Sequence, residues 1–477
     1  KQMPQDDESK AEKPSPEPAQ TNFLYTTLSS PGAKFILIGI ITVLLLIPAT
    51  MVWVLVEERA ARADQVAQSI SQGWGGQQII NGPYLVIPYR ITEIVNDKTV
   101  TVGRKAIISP EKLEISADAT VEERKKSIYK TQLYNLKTKL SGSFSELNLE
   151  RLTDRGAQLE TDRAYLVMAI ADPTGFRSDV IMKGRGNAVR KFKPGLRGIT
   201  APKPAKFYNR GYSCANPVNH NSGVHLPMTV EEVNAGFDFT IDMALNGSRE
   251  LSFMPAAKTT QLVMKANWPH PGFDGRFLPE TREINTEGFT ANWTVPELAR
   301  GIDAVYLSSS LPSAETVMRV NFVEPLKFYQ VTSRTLKYSI AFFSLIFLAI
   351  FILELNGKNL IHWIQYILTG LAMVIFYVLL LALAEQIGFT LAYLLSSAAT
   401  TFLIAWYIGD SLGSKNGSKI MGGVLAVTYF IMYLILNEEQ YALLAGSIIA
   451  FLAIATTMFT TRNINWSNKK PIAEKPA

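Results

Sequence analysis

Phe35-Ile-Leu-Ile-Gly-Ile-Ile-Thr-Val-Leu-Leu-Leu-Ile-Pro-Ala-Thr-Met-Val-Trp-Val-Leu-Val56 contains no charged residue. A hydrocarbon core about 30 Å thick needs roughly 20 apolar residues of helix to cross it, so this run predicts a transmembrane span. No comparable run follows until five crowd the last third: Tyr338–Leu355, Trp363–Ala384, Phe389–Gly409, Ile420–Leu436 and Tyr441–Thr461. The expected fold is therefore an α-helical polytopic membrane protein with six transmembrane helices. Residues 57–337, between the first and second, are long enough for a large domain outside the bilayer.

Orientation is read from Lys and Arg in the short loops, which are retained on the cytoplasmic side. Lys358 follows the second span, Lys415 and Lys419 the fourth, and Arg462, Lys469, Lys470 and Lys475 the sixth, whereas Glu385–Gly388 and Asn437–Gln440 carry none. With an even number of spans, both termini are expected in the cytoplasm and the large domain outside. Ala61-Arg62-Ala63 loosely resembles a cleavage site. The apolar run is longer than the roughly 7–15 residues of a signal-peptide core and follows a polar tail, so a retained anchor is expected. Residues 1–34 and 462–477 read as cytoplasmic tails, the first disordered by its Pro, Glu, Asp, Lys and Ser content. The first residue is Lys and not Met, so an upstream start is expected.

The chain has 477 residues, a formal charge of +6 and one cysteine, Cys214, which excludes an intramolecular disulfide. Basic and acidic residues balance outside 57–337, so the excess lies in the large domain. Within it, residues 180–230 carry Lys183, Arg185, Arg190, Lys191, Lys193, Arg197, Lys203, Lys206 and Arg210 and no acidic residue. Its Gly and Pro content predicts a surface excursion. Either it is a solvated loop, or Lys183, Arg185, Arg190, Lys191, Lys193 and Arg197 contact anionic envelope components such as lipid headgroups or other envelope proteins. No nucleic-acid-binding motif accompanies the charge, so the bilayer itself is the expected partner.

After the first span, Glu57–Gln72 suits a helix leaving the bilayer, stopped by Gly73, Gly75 and Gly76. Beyond it the period changes to two. Phe237, Phe239, Ile241, Met243 and Leu245 alternate with polar residues, as do Leu262, Met264 and Ala266, and Phe289, Ala291, Trp293 and Val295. Asn246-Gly247 predicts a hairpin turn. Tyr129, Thr131 and Leu133 share one parity, then Tyr134, Leu136, Thr138 and Leu140 the other, which predicts a β-bulge near Leu133. A short helix is expected at Glu146–Arg155. Together these predict a β-rich, mainly antiparallel sandwich or open barrel inserted between helices 1 and 2.

No catalytic constellation emerges. His220 and His225 have no zinc spacing, His270 sits between Pro269 and Pro271, and no Gly-x-Ser-x-Gly or His-Glu-x-x-His motif exists. Neither a metal nor a cofactor is expected. Among intramembrane ionisable residues, Glu354 and His362 fall at cytoplasmic span ends, where side chains can snorkel to water, and Glu385 at the far end. Small residues Ser396–Thr401, Gly422 and Gly423 suit close helix packing. Trp53, Trp363, Trp406, Tyr407 and Tyr441 read as interfacial anchors.

Gly82-Pro83-Tyr84-Leu85-Val86-Ile87-Pro88-Tyr89, Val121-Glu122-Glu123-Arg124 with Ile128-Tyr129, Trp268-Pro269-His270-Pro271 with Phe273, Phe277-Leu278-Pro279, Arg282 and Gly288-Phe289 resemble the CreD family. In the membrane half the resemblance continues through Arg334, Lys337-Tyr338, His362 with Gln365-Tyr366, Phe376-Tyr377 with Leu379-Leu380-Leu381, and Glu385 before Gly388-Phe389. The chain departs from it at Trp363, where the family tends to have Pro, and at Gln386, where a His often follows the Glu. The resemblance implies a Gram-negative inner-membrane protein in a regulon under two-component control, linked to envelope integrity and colicin tolerance, and implies no reaction. It marks Trp268, Pro269, His270, Pro271, Phe273, Arg282, Arg334, Tyr338, His362, Gln365, Tyr366, Tyr377 and Glu385 as motif positions without an assigned role, Trp268–Arg282 serving either as a structural staple or as a membrane-facing contact. A non-enzymatic envelope-integrity protein is the first functional reading; a transporter or export component is the second, and a membrane-bound hydrolase the third.

Overall fold

The computed structural model describes residues 31–95, 98–146, 157–184, 189–201, 222–312, 316–322, 328–355, 360–411, 416–437 and 442–462. The sequence expectations for Glu146–Arg155 (from 147 onward), Arg185, Lys203, Lys206, Arg210, Cys214, His220, Lys358, Lys415, Tyr441 and the two tails (apart from 31–34 and Arg462) lie outside the described residues. The chain divides into two compact units, Lys1–Arg59 with Phe328–Ala477, and Ala60–Lys327.

Helices α1 (Pro31–Leu44) and α2 (Leu46–Trp74) begin the described chain. Residues 31–34, expected in the disordered tail, are the first turn of α1, and α2 continues past the apolar run to Trp74 as the Ala, Gln, Arg and Glu content predicts.

The β-rich unit opens with β1 (Gln78–Val95), β2 (Lys98–Ile108), β3 (Lys112–Lys126) and β4 (Tyr129–Phe144). Along β3, Leu113, Ile115, Ala117, Ala119 and Val121 are buried and their neighbours exposed, the signature of a strand with one face on a core. Next come β5 (Gln158–Leu159), β6 (Tyr165–Ile170), β7 (Ile181–Lys183), β8 (Val189–Lys191), β9 (Lys193–Pro194) and β10 (Gly223–Pro227). A one-turn helix α3 (Val230–Ala235), capped reciprocally by Thr229 and Glu232, leads to β11 (Phe237–Ser248), β12 (Glu250–Phe253), β13 (Thr259–Ala266), β14 (Pro271–Gly275), β15 (Thr281–Ile284) and β16 (Phe289–Val295). Helix α4 (Glu297–Arg300), β17 (Val305–Leu307) and β18 (Met318–Phe322) complete it.

Two sheets result. The ten-stranded one runs β14-β18-β12-β1-β6-β10-β9, with β2 and β5 also on β1 and β17 on β2; the eight-stranded one runs β15-β16-β13-β3-β4-β11-β7-β8. Pairing is antiparallel except for β1 with β12 and β3 with β13. Inward side chains of both sheets, among them Leu85, Ile107, Ile115, Leu140, Val167, Ile241, Met264 and Trp293, form one apolar cluster. Burying each such Leu, Ile or Val contributes roughly 1.5–3 kcal/mol.

Three sequence expectations are corrected here. Asn246-Gly247 does not turn: β11 pairs with β4 through Asn246↔Asn135, Gly247↔Tyr134 and Ser248↔Leu133. The glycine is needed because the Tyr134 ring lies where a Cβ would stand. The turn comes at Arg249, in the left-handed region with φ 63°, where the chain leaves the eight-stranded sheet for β12 in the other. Second, no bulge interrupts β4 at Leu133, since its register with β3 is unbroken from Lys112↔Ser143 to Lys126↔Tyr129. The parity changes because Thr131–Tyr134 are buried on both faces. The end of α2 reaches this stretch: Trp74 Nε1 donates to Tyr134 O (3.4 Å), Lys126 Nζ donates to Ser69 Oγ (3.4 Å), and the Arg124 and Arg177 guanidiniums lie 4.2 and 4.6 Å from the Trp74 ring centre.

Third, the basic stretch is not a loop outside the core. Its strands β7 and β8 extend the eight-stranded sheet, β9 and β10 the ten-stranded one, and Met182, Leu196, Ile199, Val224 and Leu226 are buried.

The helical unit continues with α5 (Phe328–Lys337), α6 (Ser339–Leu355), α7 (Trp363–Ile387), α8 (Phe389–Ser411), α9 (Gly417–Asn437) and α10 (Ala442–Thr461). Among the described residues, four helices are long and apolar enough to cross a membrane: the 32–74 run, α7, α8 and α9. The pair α5 and α6, bent by 51°, makes a fifth if counted as one span. The run expected as a sixth span folds as α10, whose apolar part, Gly446–Phe459, is shorter. The chain enters its second apolar segment ten residues before Tyr338, through α5. Arg334 and Lys337 in its last turn hide that helix from a search for apolar runs. Small residues sit where helices meet: Gly370 faces Leu45 of the anchor run, Gly409 faces Ser418, and a Cβ on Gly422 would touch Ala405.

Candidate functional site

The motif Trp268–Arg282 lies at one edge of the sandwich. Trp268 Nε1 donates to His270 O (3.1 Å), and Pro271 opens β14, which pairs with β18. Phe273 meets Phe289 edge-on at 5.5 Å and Trp293 at 5.8 Å. Arg282 stands 5.9 Å from the Phe273 ring, and Trp293 Nε1 donates to Phe277 O (3.1 Å). Because β14 belongs to one sheet and β16 to the other, these aromatic contacts join the two sheets. His270 is exposed at the segment's bend, between Pro269 and Pro271.

The basic residues find carboxylates outside the 180–230 window. Lys183 pairs with Asp242 (2.8 Å), Lys191 with Asp179 (2.6 Å), and Arg190 forks onto Glu232 (2.7 and 3.1 Å). Arg197 sits 5.0 Å from the Tyr165 ring, while Lys193 is exposed. His225 Nδ1 lies 2.8 Å from Gly195 O. Among the described residues no group of three His, Cys, Asp or Glu side chains could hold a metal ion.

Arg319 on β18 bridges Glu250 on β12 (2.8 Å) and Asp274 on β14 (3.5 Å). Burial raises the Glu250 carboxyl above its ordinary value, Arg319 opposes the rise and Asp274 adds to it. Between the ordinary and the raised value the folded state holds more protons than the unfolded one, so stability falls as pH climbs through that window. Thermal unfolding from acidic toward neutral pH is expected to show this loss beginning near 4.5, and Glu250→Gln to flatten it. An unchanged slope in the variant would assign the dependence to other groups.

Beside the start of β18 an open recess of about 460 Å³ lies between the α4–β17 connection, residues 308–312 and Thr316. Arg300 is only 3% exposed, yet its guanidinium donates to neutral acceptors: Nη1 to Ser109 Oγ (2.9 Å) and Ala256 O (2.8 Å), Nη2 to Ile302 O (2.8 Å) and Asp303 O (3.4 Å). Tyr84 and Tyr306 stand edge-on at 6.4 Å beside it. Burial pushes both phenols above their ordinary value against the opposing charge of Arg300.

In the helical unit, Glu354 does not snorkel. It is 4% exposed, paired with Lys34, and accepts from Tyr366 Oη (2.8 Å) and Ile361 N (2.9 Å); Lys34 also donates to Ile361 O (2.5 Å). The cluster ties α1, α6 and α7 together at one end. His362 and Gln365 start α7: Gln365 Oε1 accepts from His362 N (2.9 Å), His362 Nδ1 from Ile364 N (3.4 Å), and Gln365 Nε2 donates to Ser411 Oγ (2.7 Å). At the opposite end of α7, about 35 Å away at 1.5 Å per residue, Glu385 accepts from Tyr329 Oη (3.1 Å) and lies 3.7 Å from Arg59. Nearby, Trp53 Nε1 donates to Ser333 Oγ (3.0 Å), whose hydroxyl donates to Glu57 (3.1 Å). Tyr377 is buried against Phe343 and Phe376. Arg334 lies in the last turn of α5, and Tyr338 is half-exposed at the bend before α6.

The motif residues thus fall into separate clusters and do not converge on one site. Sequence reasoning missed Lys34, assigned to a tail although it directly precedes the apolar run, and Arg300, which no motif flags.

Residues 30–467 match the family model described as "Inner membrane protein CreD". The chain is 31% identical over 433 residues to "Inner membrane protein CreD" of Escherichia coli (strain K12), covering 89% of this chain and 91% of that one.

Proposed function

Since this chain belongs to the CreD family of inner-membrane proteins, we propose that it acts without enzymatic chemistry, as a six-span component that supports cell-envelope integrity and presents its β-rich unit to the periplasm. One observation carries the reading: many of the family-motif side chains are engaged in contacts inside their own unit. Glu354 and Glu385 tie helices, His362 and Gln365 start one, and Trp268, Phe273 and Arg282 bridge sheets. The alternating Lys and Arg content of the short loops supports the orientation.

A periplasm-only reporter fused after Gln440 is expected to be active and one after Lys415 inactive; the reverse pattern would overturn the orientation. Cells lacking the protein are expected to become sensitive to detergent, and wild type and a Lys183→Ala variant to restore resistance equally.

A second reading, a solute path through the helices, is favoured by Tyr377 Oη on α7 and Ser396 Oγ on α8. Both hydroxyls are buried without a hydrogen-bond partner among the described residues. Solute flux in proteoliposomes that disappears in Glu385→Gln would select it over the first.

A further inference from the structure

The recess beside α4 is unusual in its charge. A buried guanidinium is ordinarily matched by a carboxylate, because burying an ion without a counter-charge is expensive. Arg300 has none among the described residues; its four donated hydrogen bonds go to carbonyls and one serine, and its Nε is buried without a partner. Arg276 lines the same recess, exposed, and its guanidinium has no partner among the described residues. Hydroxyl-bearing Ser308, Ser310 and Thr316 complete the polar lining, with the Tyr306 ring alongside. No Asp or Glu lines it among the described residues.

Two guanidiniums and hydroxyls lining one recess are what a phosphoryl group recognises: the arginines balance its charge and hydroxyls can turn to donate to its oxygens. The volume lies within the range of roughly 300–1,000 Å³ typical of small-ligand sites. We propose that this recess binds a phosphate monoester carried on a small polar body, with Arg276 contacting the phosphoryl oxygens and Arg300 supplying charge from beneath. The site is independent of the envelope role proposed above and of the paired cations of residues 180–230. The phosphoryl group could belong to a free ester or to a lipid headgroup, which present the same oxygens.

The test uses the full chain in neutral-detergent micelles, titrated with glycerol 3-phosphate and, as control, glycerol, by calorimetry and by thermal shift. Glycerol 3-phosphate is expected to bind and to raise the unfolding temperature, glycerol to do neither. Losing one charge-assisted contact in Arg276→Gln should weaken binding roughly tenfold or more, and Ser310→Ala should weaken it by a smaller factor. Arg276 is exposed, so its variant keeps the wild-type unfolding temperature without ligand. Phosphatidylcholine vesicles with and without phosphatidic acid form the second arm. Retention on the phosphatidic acid vesicles that is lost in Arg276→Gln, without binding of the free ester, would assign the site to a headgroup. Absence of binding in both arms, or binding unchanged in Arg276→Gln, would overturn the proposal.

Discussion

Trp293→Ala is expected to cost the β-rich unit about 3–5 kcal/mol, the range for emptying a buried aromatic position. Trp293 is among the largest fully buried side chains, its parity on β16 aims it into the core, and it meets Phe273 across the sheets. Truncation removes three things together: apolar burial, the ring contact with Phe273, and the hydrogen bond from Nε1 to Phe277 O. The loss of the last frees β14 and the 276–280 turn as well. Urea unfolding followed by tryptophan-independent far-UV signal is the measurement. A midpoint within experimental error of wild type would refute the bridging role. Arg282→Ala, which removes only a cation 5.9 Å from Phe273, should cost no more than about 1 kcal/mol.

Glu354→Ala should be comparably severe in the helical unit. It leaves the Lys34 ammonium without its anion and withdraws the acceptor from Tyr366 Oη and Ile361 N, all beside buried apolar neighbours. Removing one member of a buried ion pair costs about 3–5 kcal/mol. The lower end applies here, since the Lys34 side chain is 18% exposed and can reach water. Lys34→Met is expected to cost less, because Glu354 then keeps two hydrogen-bond donors, Tyr366 Oη and Ile361 N. Combining Lys34→Met with Glu354→Leu should recover much of the loss, as apolar replacement of both partners removes the uncompensated charge. Thermal aggregation in detergent across this double-mutant cycle reads the coupling. Additive losses would mean that the pair does not hold α1 to α6.

These two sites differ in how far the sequence disclosed them. Alternation from Phe237 to Leu245 and from Phe289 to Val295 shows the buried face directly, because one face is wet and periodicity reports the difference. Where both faces are covered the signal inverts: Thr131–Tyr134 mimic a bulge. Asn246-Gly247 carries a turn signature, but the need for glycine there comes from Tyr134, which pairs with it only through the tertiary fold. The basic stretch looked uncompensated because Asp179, Glu232 and Asp242 lie just outside it in sequence and beside it in the sheets. Apolar runs located α7, α8 and α9 within a few residues, since bilayer length is a local property. Lys34 with Glu354, and Arg276 with Arg300, are meetings of distant or unremarkable positions, and no local pattern encodes them.

The two parallel pairings also set a clock. β1 must wait for β12, and β3 for β13, well over a hundred residues later, while the ten-stranded sheet is not complete until β18. Roughly 240 residues separate Gln78 from Met318, which at about 5–20 residues per second corresponds to about 12–50 s of synthesis. Throughout that interval the first-made strands expose unpaired edges, so truncated chains should be degraded rather than accumulate as half-folded domains, and a ribosome stalled between β4 and β12 would leave nothing worth keeping.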